Sequence, residues 1–367
     1  MALFSTFVVL IVGLILLGIL FMRLYPVFGR KPSQMKVDSF HTSEHLESGK
    51  FRNRLPMKMD TSLKSTVGTL IDFIKGNPNR RPPRHLPMAS PVFNQSNNQT
   101  QVTWFGHSAS MLTIDGKTLL LDPMFGKTPS PFPLFGKPRY SGGMPLDTDD
   151  FPPIDVVVLS HDHYDHLDYG TIQKLKLKVG MFLVPLGVGG HLERWGIERE
   201  RIQEYDWWEE LTYAGLRFAC TPAIHFSGRS LTDRNATLWC SWVIKGKQTS
   251  IFFSGDSGYG PHFKEIGDKY GPFDLTLMEC GQYDERWSDI HMMPEESVEA
   301  HLDVKGKVMM PIHWGAFTLA LHAWTDPVER ALKAAERKNV AVATPRIGET
   351  MAVEGEIHVN TAWWRQV

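Results

Sequence analysis

The chain has 367 residues, of which 42% are hydrophobic and 22% charged, and its formal net charge at pH 7 is −1. This length and composition suit one large or two ordinary globular domains with a sizeable core, and the charge near zero argues against an obligate nucleic-acid partner. The cysteines Cys220, Cys240 and Cys280 are widely spaced and odd in number. They predict neither a disulfide framework nor a cysteine zinc knot, and their apolar neighbours favour buried thiols.

The first residues of the chain predict a membrane anchor at 1–24. Residues 2–22 carry no charge, and about twenty apolar residues in a helix span the ~30 Å hydrocarbon core of a bilayer. A cleaved signal peptide is the alternative, but the basic region and the small-residue cleavage site that it needs are missing. Four basic residues follow: Arg23, Arg30, Lys31 and Lys36. The positive-inside rule then places the rest of the chain on the cytoplasmic side.

Residues 25–90, rich in Pro, Lys, Arg, Ser and His, predict a partly ordered connector. Apolar residues at helical spacing within it predict an amphipathic helix: Leu63, Val67, Leu70, Ile71 and Ile74. Basic residues lie on this helix or just beyond it: Lys64, Lys75, Arg80, Arg81 and Arg84. The helix either packs on the following domain in the ordinary way or lies in a membrane interface with its basic flank on anionic headgroups.

Residues 91–367 alternate strand-like and helix-like segments, which predicts an α/β domain. The turn Asp115-Gly116 between two apolar runs is a hairpin signal. The most informative stretch is 159–168, here called the metal loop. It follows a β-branched apolar run at 156–159 and precedes a helix that begins near Thr171, so it joins a buried strand to a helix. The loop carries four candidate metal ligands: His161, His163, Asp165 and His166.

Imidazole suits Zn, Fe or Mn, and a carboxylate raises the affinity for a divalent ion. Three further candidates each end a strand-like run: His225, Asp256 and His313. A single such histidine is more often a hydrogen-bonded core residue, and a single aspartate more often a turn residue. Four segments that each close a strand with a ligand predict a shared metal site. Asp122, at the end of the hairpin, is placed to brace the metal loop from behind.

This order of residues resembles the metallo-β-lactamase superfamily over roughly residues 100–350. The resemblance implies an αβ/βα sandwich with a dinuclear site in the cleft between its halves. It also implies two groups of three ligands with Asp256 bridging them: His161, His163 and His225, and Asp165, His166 and His313. We expect two divalent ions as the cofactor, most readily Zn²⁺, with Mn²⁺ and Fe²⁺ as alternatives.

Several runs are similar to one branch of that superfamily, N-acylphosphatidylethanolamine-hydrolysing phospholipase D. They lie at 205–210, 221–226, 229–235, 238–242, 271–274, 289–296 and 313–315. The resemblance implies that His291 lies by the substrate phosphate, and we expect Arg229 to support it as a cation. The run Gly281-Gln282-Tyr283 and the N-terminal anchor depart from the mammalian member, so the chain looks like a bacterial relative.

The resemblance implies a phosphodiesterase of the phospholipase D type that releases phosphatidic acid and an N-acylethanolamine. Asp165 and Asp256 would orient the nucleophile, while His291 would contact the phosphate or protonate the departing alkoxide. We expect a phospholipid substrate, a location in the bacterial inner membrane and no nucleic acid; a homodimer is compatible with the sequence. One alternative is another hydrolysis on this scaffold, such as that of a sugar-phosphate lactone, but the anchor and the 63–75 helix weigh against it. A non-catalytic membrane scaffold is the other, and the full ligand set weighs against that.

Overall fold

The structure, a computed structural model, describes residues 2–57, 62–93, 99–132, 136–354 and 361–367. Within these residues the chain forms α-helices of 6 to 23 residues: α1 (Ala2–Leu24), α2 (Gln34–Ser39), α3 (Leu63–Lys75), α4 (Tyr169–Leu175), α5 (Gly189–Arg194), α6 (His262–Tyr270), α7 (Pro294–Asp303) and α8 (Asp326–Lys338). A short antiparallel hairpin, β1 (Leu46–Glu47) and β2 (Lys50–Phe51), lies between α2 and α3.

Two seven-stranded sheets form the centre of the molecule, and the first has the order β16-β3-β4-β5-β6-β7-β8. Its strands are β3 (Gln101–Trp104), β4 (Ser110–Ile114), β5 (Lys117–Leu121), β6 (Ile154–Val158), β7 (Val179–Pro185), β8 (Ile202–Tyr205) and β16 (Thr350–Ala352). The strands from β16 to β5 pair antiparallel and those from β5 to β8 pair parallel. The predicted hairpin at Asp115-Gly116 is confirmed as the β4–β5 turn, where Ile114 pairs with Lys117.

The second sheet repeats this plan with the order β15-β14-β13-β12-β11-β10-β9. Its strands are β9 (Glu210–Tyr213), β10 (Leu216–Thr221), β11 (Ser241–Lys245), β12 (Ser250–Phe253), β13 (Phe273–Glu279), β14 (Gly306–Ile312) and β15 (Ala341–Val342). Here β9 to β12 pair antiparallel, and β12 to β15 pair parallel. Each sheet therefore has one antiparallel half and one parallel half.

The strands alternate their side chains between two cores, as a period of two residues requires. On β5, Leu119 and Leu121 join the central core between the sheets, whereas Leu120 joins the layer that contains α4 and α5. On β12, Ile251 faces the central core and Phe252 packs with residues of α6, α7 and α8. The result is the predicted αβ/βα sandwich, in which both sheets are covered by helices on their outer faces. The three cysteines are free and buried, as their apolar neighbours predicted.

The two longest helices outside these layers are α1 and α3. Within α1, residues Phe4–Leu24 form a helix long and apolar enough to cross a membrane, and its described side chains are largely exposed. In α3 the predicted apolar stripe faces solvent, with Leu63, Leu70 and Ile74 exposed by 80%, 59% and 76%. The interpretation of α3 as a helix packed on the domain by this stripe is therefore wrong. An ion pair between Asp72 and Arg286, 2.9 Å long, connects α3 to the second half of the sandwich.

Candidate metal centre

The predicted ligands lie at the carboxyl ends of strands, along one edge where the two sheets meet. The metal loop follows β6, His225 follows β10, Asp256 follows β12 and His313 follows β14. Glycines allow these loops to approach closely. A Cβ atom at Gly258 would lie 1.9 Å from the carbonyl oxygen of Asp289, so only glycine lets the two loops meet there.

The first ligand group consists of His161, His163 and His225. His163 Nδ1 lies 2.9 Å from His161 Nε2 and 3.2 Å from His225 Nε2, so three ring nitrogens converge on one point. The opposite nitrogens are occupied: His161 Nδ1 lies 2.8 Å from Ser160 Oγ, and His225 Nδ1 lies 3.0 Å from the Ile290 carbonyl oxygen. Hydrogen bonds of this kind orient imidazoles that bind a metal through the other nitrogen.

The second ligand group consists of Asp165, His166 and His313. Together with His107, these residues have potential ligand atoms that all lie within 4.8 Å of one another. Asp165 Oδ2 lies 3.4 Å from His166 Nε2 and 2.8 Å from His107 Nε2. His107 therefore either supports Asp165 from behind or adds a fourth ligand to this group.

Asp256 lies between the two groups. Its Oδ2 atom is 3.8 Å from both His161 Nε2 and His225 Nε2 in the first group, and 3.1 Å from His166 Nε2 in the second. Its Oδ1 atom is 3.0 Å from His313 Nδ1. One carboxylate thus reaches both groups, which is the position that a bridging ligand requires.

Asp122 lies behind the metal loop, where the sequence analysis placed it. Its Oδ2 atom lies 2.7 Å from His166 Nδ1 and accepts a hydrogen bond from Ser160 Oγ. Its Oδ1 atom accepts the Ser160 backbone N–H at 2.7 Å. The carboxylate thereby fixes both the backbone of the loop and the orientation of the His166 ring.

Unsatisfied atoms indicate that these groups fit cations. Within the described part of the chain, His313 Nε2 is buried without a hydrogen-bond partner, and the buried His166 Nε2 and Asp256 Oδ1 have only the ion-pair contacts given above and no hydrogen bond of good geometry. Buried carboxylates need a compensating positive charge, and Asp122, Asp165 and Asp256 are all at most 13% exposed at the side chain. Borderline nitrogen and hard oxygen donors in this mixture suit divalent transition ions.

The electrostatic environment favours the metal-binding protonation state at His161, His225 and Asp256. At His166 burial alone would lower the pKa, but the carboxylates of Asp256, Asp165 and Asp122 outweigh it and hold that pKa well above the usual value, so a metal ion bound there would displace a proton. Burial, reinforced by neighbouring histidines, lowers the pKa of His161 and of His225 well below the usual value, so both rings are neutral. Burial alone would raise the pKa of Asp256, but the charges of His166 and His313 outweigh it and hold that pKa well below the usual value. Asp256 is therefore ionised.

His291 lies against both ligand groups. Its ring centre is 5.0 Å from that of His225 and 5.1 Å from that of His313. The prediction that it directly precedes a helix is confirmed, because α7 begins at Pro294. His291 Nδ1 lies 2.9 Å from Oε2 of Glu279, whose other oxygen accepts the Met292 backbone N–H. The ring is thus fixed through Nδ1, which leaves Nε2 for other contacts.

Arg229 lies elsewhere than the sequence analysis expected. It is only 3% exposed, and its guanidinium donates to the carbonyl oxygens of Asp162, Leu167 and Val27. It also stacks on Tyr164 at 4.1 Å. The geometry does not support a substrate-binding role, because these donors are already committed. Arg229 instead joins the metal loop to the segment that follows α1.

Three residues of the site escaped the sequence analysis: His107, Glu279 and Asn53. His107 follows Gly106 without a second ligand nearby, and Glu279 ends an apolar strand like many surface carboxylates. Asn53 lies in the connector, yet its side chain donates to the His225 carbonyl oxygen at 2.8 Å and accepts the His225 backbone N–H at 3.1 Å. Of these three residues, Glu279 could have been found from the sequence, because it ends a strand-like run as the predicted ligands do.

Comparison with known proteins agrees with this geometry. A family model described as "Beta-lactamase superfamily domain" matches residues 117–314. A Mycobacterium bovis protein is 42% identical over 332 residues, covering 88% of each chain. N-acyl-phosphatidylethanolamine-hydrolyzing phospholipase D 1 of Caenorhabditis elegans is 32% identical over 265 residues, which cover 67% of this chain and 74% of that protein.

A solved structure extends the comparison to the fold. Igni18, a metallo hydrolase of the archaeon Ignicoccus hospitalis, aligns with a TM-score of 0.54 and 22% sequence identity. The alignment covers 70% of this chain and 100% of the other. The match therefore supports the fold of the two-sheet sandwich.

Proposed function

Since this chain is a metal-dependent hydrolase of the metallo-β-lactamase superfamily, with N-acylphosphatidylethanolamine-hydrolysing phospholipase D among its relatives, we propose that it is a phosphodiesterase of the phospholipase D type. The substrate is an N-acylated phosphatidylethanolamine or a similar lipid. The bond between phosphorus and the alcohol oxygen breaks, and water supplies the hydroxyl group that replaces the alcohol. The products are a phosphatidic acid and an N-acylethanolamine, whose alkoxide takes up a proton.

The two ligand groups, with Asp256 between them, would hold two divalent ions, for which Zn²⁺ suits the donor set best. Such ions supply Lewis acidity, which lowers the pKa of water and stabilises charge on phosphoryl oxygens. Asp165 and Asp256 fix the geometry in which the phosphate meets its attacking water. His291 binds a phosphate oxygen or gives the proton to the departing alkoxide through Nε2.

The observation that carries the proposal is the position of His291. It belongs to neither ligand group, yet its ring lies within 5.1 Å of a histidine ring of each group. His291 has a ligand-type atom that lies, with those of Asp256, Glu279 and His313, in a set all within 4.8 Å of one another, and a general acid or hydrogen-bond donor at this place can reach a phosphate beside the ligand groups. Glu279 holds the ring there through the 2.9 Å contact at Nδ1.

A membrane location suits this substrate, and we propose that α1 anchors the protein in the bacterial inner membrane with the catalytic domain on the cytoplasmic side. The length and exposure of α1 support the proposal. The exposed apolar stripe of α3 supports it further, since a bilayer interface would cover that stripe. Through Asp72 and Arg286, α3 is connected to the loop that precedes His291.

The test is hydrolysis of N-acylated phosphatidylethanolamine by the purified full-length protein, with released N-acylethanolamine measured by mass spectrometry. We expect about two metal ions per chain and turnover that a chelator abolishes. His291→Ala should retain both ions and lower kcat/KM by ~100-fold or more, the scale of one acid–base or charge-stabilising group. His291→Gln should recover part of the loss if the residue acts by hydrogen bonding and none if it transfers a proton.

His41→Ala is the matched control, because His41 is an exposed histidine of the connector. It should behave as the wild type. Equal kinetics for the His291 and His41 variants would refute the assignment of His291. The proposed phospholipase activity would be refuted if the fully metallated wild type hydrolysed a sugar-phosphate lactone but no phosphodiester.

A further inference from the structure

A cavity of about 700 Å³ lies where α1 ends and meets the catalytic domain. This volume is in the range of small-molecule sites, ~300–1,000 Å³. The end of α1 and the segment after it form one wall, and Arg194 with Ser230, Thr232 and Asp233 forms the other. The lining is apolar toward α1, with Ile19, Met22 and Leu24, and polar toward the domain.

The polar part of the cavity carries an excess of positive charge. Four cationic side chains line it: Arg23, Arg30, Lys31 and Arg194. None of the four forms an ion pair with a carboxylate among the residues that the structure describes. The acidic residue of the lining, Asp233, is buried and accepts the backbone N–H groups of Arg229 and Ser230. Burial, together with the charge of Arg30, lowers the pKa of Arg194, as expected where like charges lie close together.

Hydrogen bonds hold the cavity wall in place. Arg194 donates to the carbonyl oxygens of Gly29, Arg23 and Tyr25, and so satisfies acceptors at the end of α1. Trp195 Nε1 donates to the Pro26 carbonyl oxygen at 2.7 Å. These contacts fix the backbone of the segment, while the side chains of Arg23, Arg30 and Lys31 remain exposed.

If α1 spans the membrane, the cavity lies at the depth of the lipid headgroups. The candidate span ends at Leu24, and Arg23, Arg30 and Lys31 all lie at or just beyond that end. Acyl chains would then run beside the apolar residues of α1, and a phosphate would meet the cations. Basic residues at the depth of the headgroups attract anionic lipids, and each positive charge raises the affinity about fivefold.

We propose that this cavity binds the headgroup of an anionic glycerophospholipid, with its phosphate among Arg23, Arg30 and Lys31 and its acyl chains along α1. The inference rests on the membrane anchoring proposed above but not on the hydrolytic reaction. The site is distinct from the metal centre, and the bound lipid is a structural ligand that is not cleaved.

The test uses the full-length protein in dodecyl maltoside, with bound lipids counted by native mass spectrometry. The probes are dioctanoyl phosphatidylglycerol, dioctanoyl phosphatidylcholine and inorganic phosphate. We expect the wild type to retain one phosphatidylglycerol, with at least tenfold preference over phosphatidylcholine. Arg30→Gln combined with Lys31→Gln should weaken that retention by about tenfold or more. The backbone bond from the Arg30 N–H to His191 is unaffected by these substitutions.

Lys247→Gln combined with Lys333→Gln is the matched control, since both lysines are exposed and lie outside the cavity lining. It removes the same charge and should retain phosphatidylglycerol like the wild type. Equal retention by the two double variants would overturn the proposal, as would equal binding of phosphatidylcholine. Displacement of the lipid by an equal concentration of inorganic phosphate would also overturn it, because the site would then recognise free phosphate.

Two further measurements separate this inference from the proposed function. Hydrolysis of dispersed substrate by the Arg30/Lys31 variant should be unchanged, which also shows that the variant is folded. A wild type that retains phosphatidylglycerol but hydrolyses no phosphodiester would refute the proposed reaction and leave the lipid site standing. A wild type that hydrolyses substrate but does not float with phosphatidylcholine vesicles would refute the anchoring, and the lipid site with it.

Discussion

Three residues that face the candidate metal centre have left-handed backbone conformations: His107, Asp122 and His313, with φ of 57°, 40° and 66°. Such conformations cost about 1–3 kcal/mol each in a non-glycine residue and persist only where the surroundings impose them. Here the His107 N–H donates to the Trp314 carbonyl oxygen and the His313 N–H to that of His107. A backbone bridge between the two sheets thus maintains the strained conformations of His107 and His313 where the ligand groups converge.

Asp256→Asn tests the bridging position. The substitution keeps the shape of the side chain but removes the charge that reaches both ligand groups, so we expect a loss of activity of about 100-fold or more with little change in Tm. Activity, metal content and Tm of the variant are measured together. Wild-type turnover with both ions retained would exclude Asp256 from the site.

Glu279→Ala tests whether Glu279 acts by positioning His291. The variant should lower kcat nearly as much as His291→Ala, with KM almost unchanged, because the unsupported ring loses its orientation. Glu279→Gln should restore most of the activity, since its amide can still contact His291 Nδ1 and the Met292 N–H. The double variant Glu279→Ala/His291→Ala should be no worse than His291→Ala alone. Additive losses in the double variant would show that Glu279 has a separate role.

Residue spacing in the sequence identified the candidate ligands that the structure brings together, but it missed the residues that support them. His161, His163, Asp165 and His166 are recognisable because they lie within six residues after a strand. His107 is not, because it reaches Asp165 from 58 positions away and only the pairing of strands brings the two together. The prediction for Arg229 was wrong for a different reason. Its position near His225 in the sequence does not show whether its N–H donors are free to bind a substrate.

In the outer helical layers, a buried histidine on α7 makes the stability of the protein depend on pH. His301 on α7 is 1% exposed, and its Nδ1 lies 2.7 Å from Thr276 Oγ1 on β13. Burial lowers the pKa of His301 to about 4. His301 is therefore neutral in the folded protein near pH 7.

A pH-dependent stability follows from His301. Because its pKa is lower in the folded than in the unfolded protein, its contribution is complete above pH ~6.5 and is lost as the pH falls toward 4. Linkage gives a loss of about 2 kcal/mol between pH 7 and pH 5. The fall in Tm between these pH values should be smaller in His301→Gln than in the wild type, whereas His41→Gln should match the wild type. Identical pH profiles for all three proteins would contradict the assignment.

The elements themselves were largely predictable, because apolar runs such as 156–159 and the turn Asp115-Gly116 mark strands directly. What an exposed helix surface contacts was harder to predict. The spacing of Leu63, Leu70 and Ile74 predicts an apolar stripe but not whether protein or membrane covers it. That distinction depends on tertiary contacts, and the structure leaves the stripe exposed.

Over the whole molecule, the connector is more deeply integrated than its composition suggests. Asn53 contacts His225 across 172 positions, and Val27 accepts hydrogen bonds from Arg229 across 202. Contacts between residues so distant in sequence carry no local signal. The sequence therefore predicts a partly ordered linker where the structure has a segment that supports the metal loop.

Deleting residues 1–24 should give a soluble protein that hydrolyses short-chain, detergent-dispersed substrate but works poorly on vesicles. The ligand groups and His107 lie beyond residue 100, and Val27 is retained. Deleting residues 1–33 is the comparison, since it also removes Val27 and leaves the buried Arg229 guanidinium short of acceptors, at a cost of about 1–3 kcal/mol. Its Tm should be lower than that of the shorter deletion. Loss of activity on dispersed substrate in the 1–24 deletion would mean that α1 is part of the catalytic fold.

The hydrogen bonds from Arg229 and Arg194 to the segment after α1 also determine how the enzyme would search for its substrate. If α1 spans the bilayer as proposed, a catalytic domain joined to it by so short a path stays at one height above the bilayer and turns with it. Encounter then occurs by lateral diffusion in two dimensions, and the relevant concentration is the mole fraction of substrate in the same membrane. Turnover should saturate with that mole fraction and be insensitive to the total amount of vesicles, because an anchored enzyme does not exchange between them.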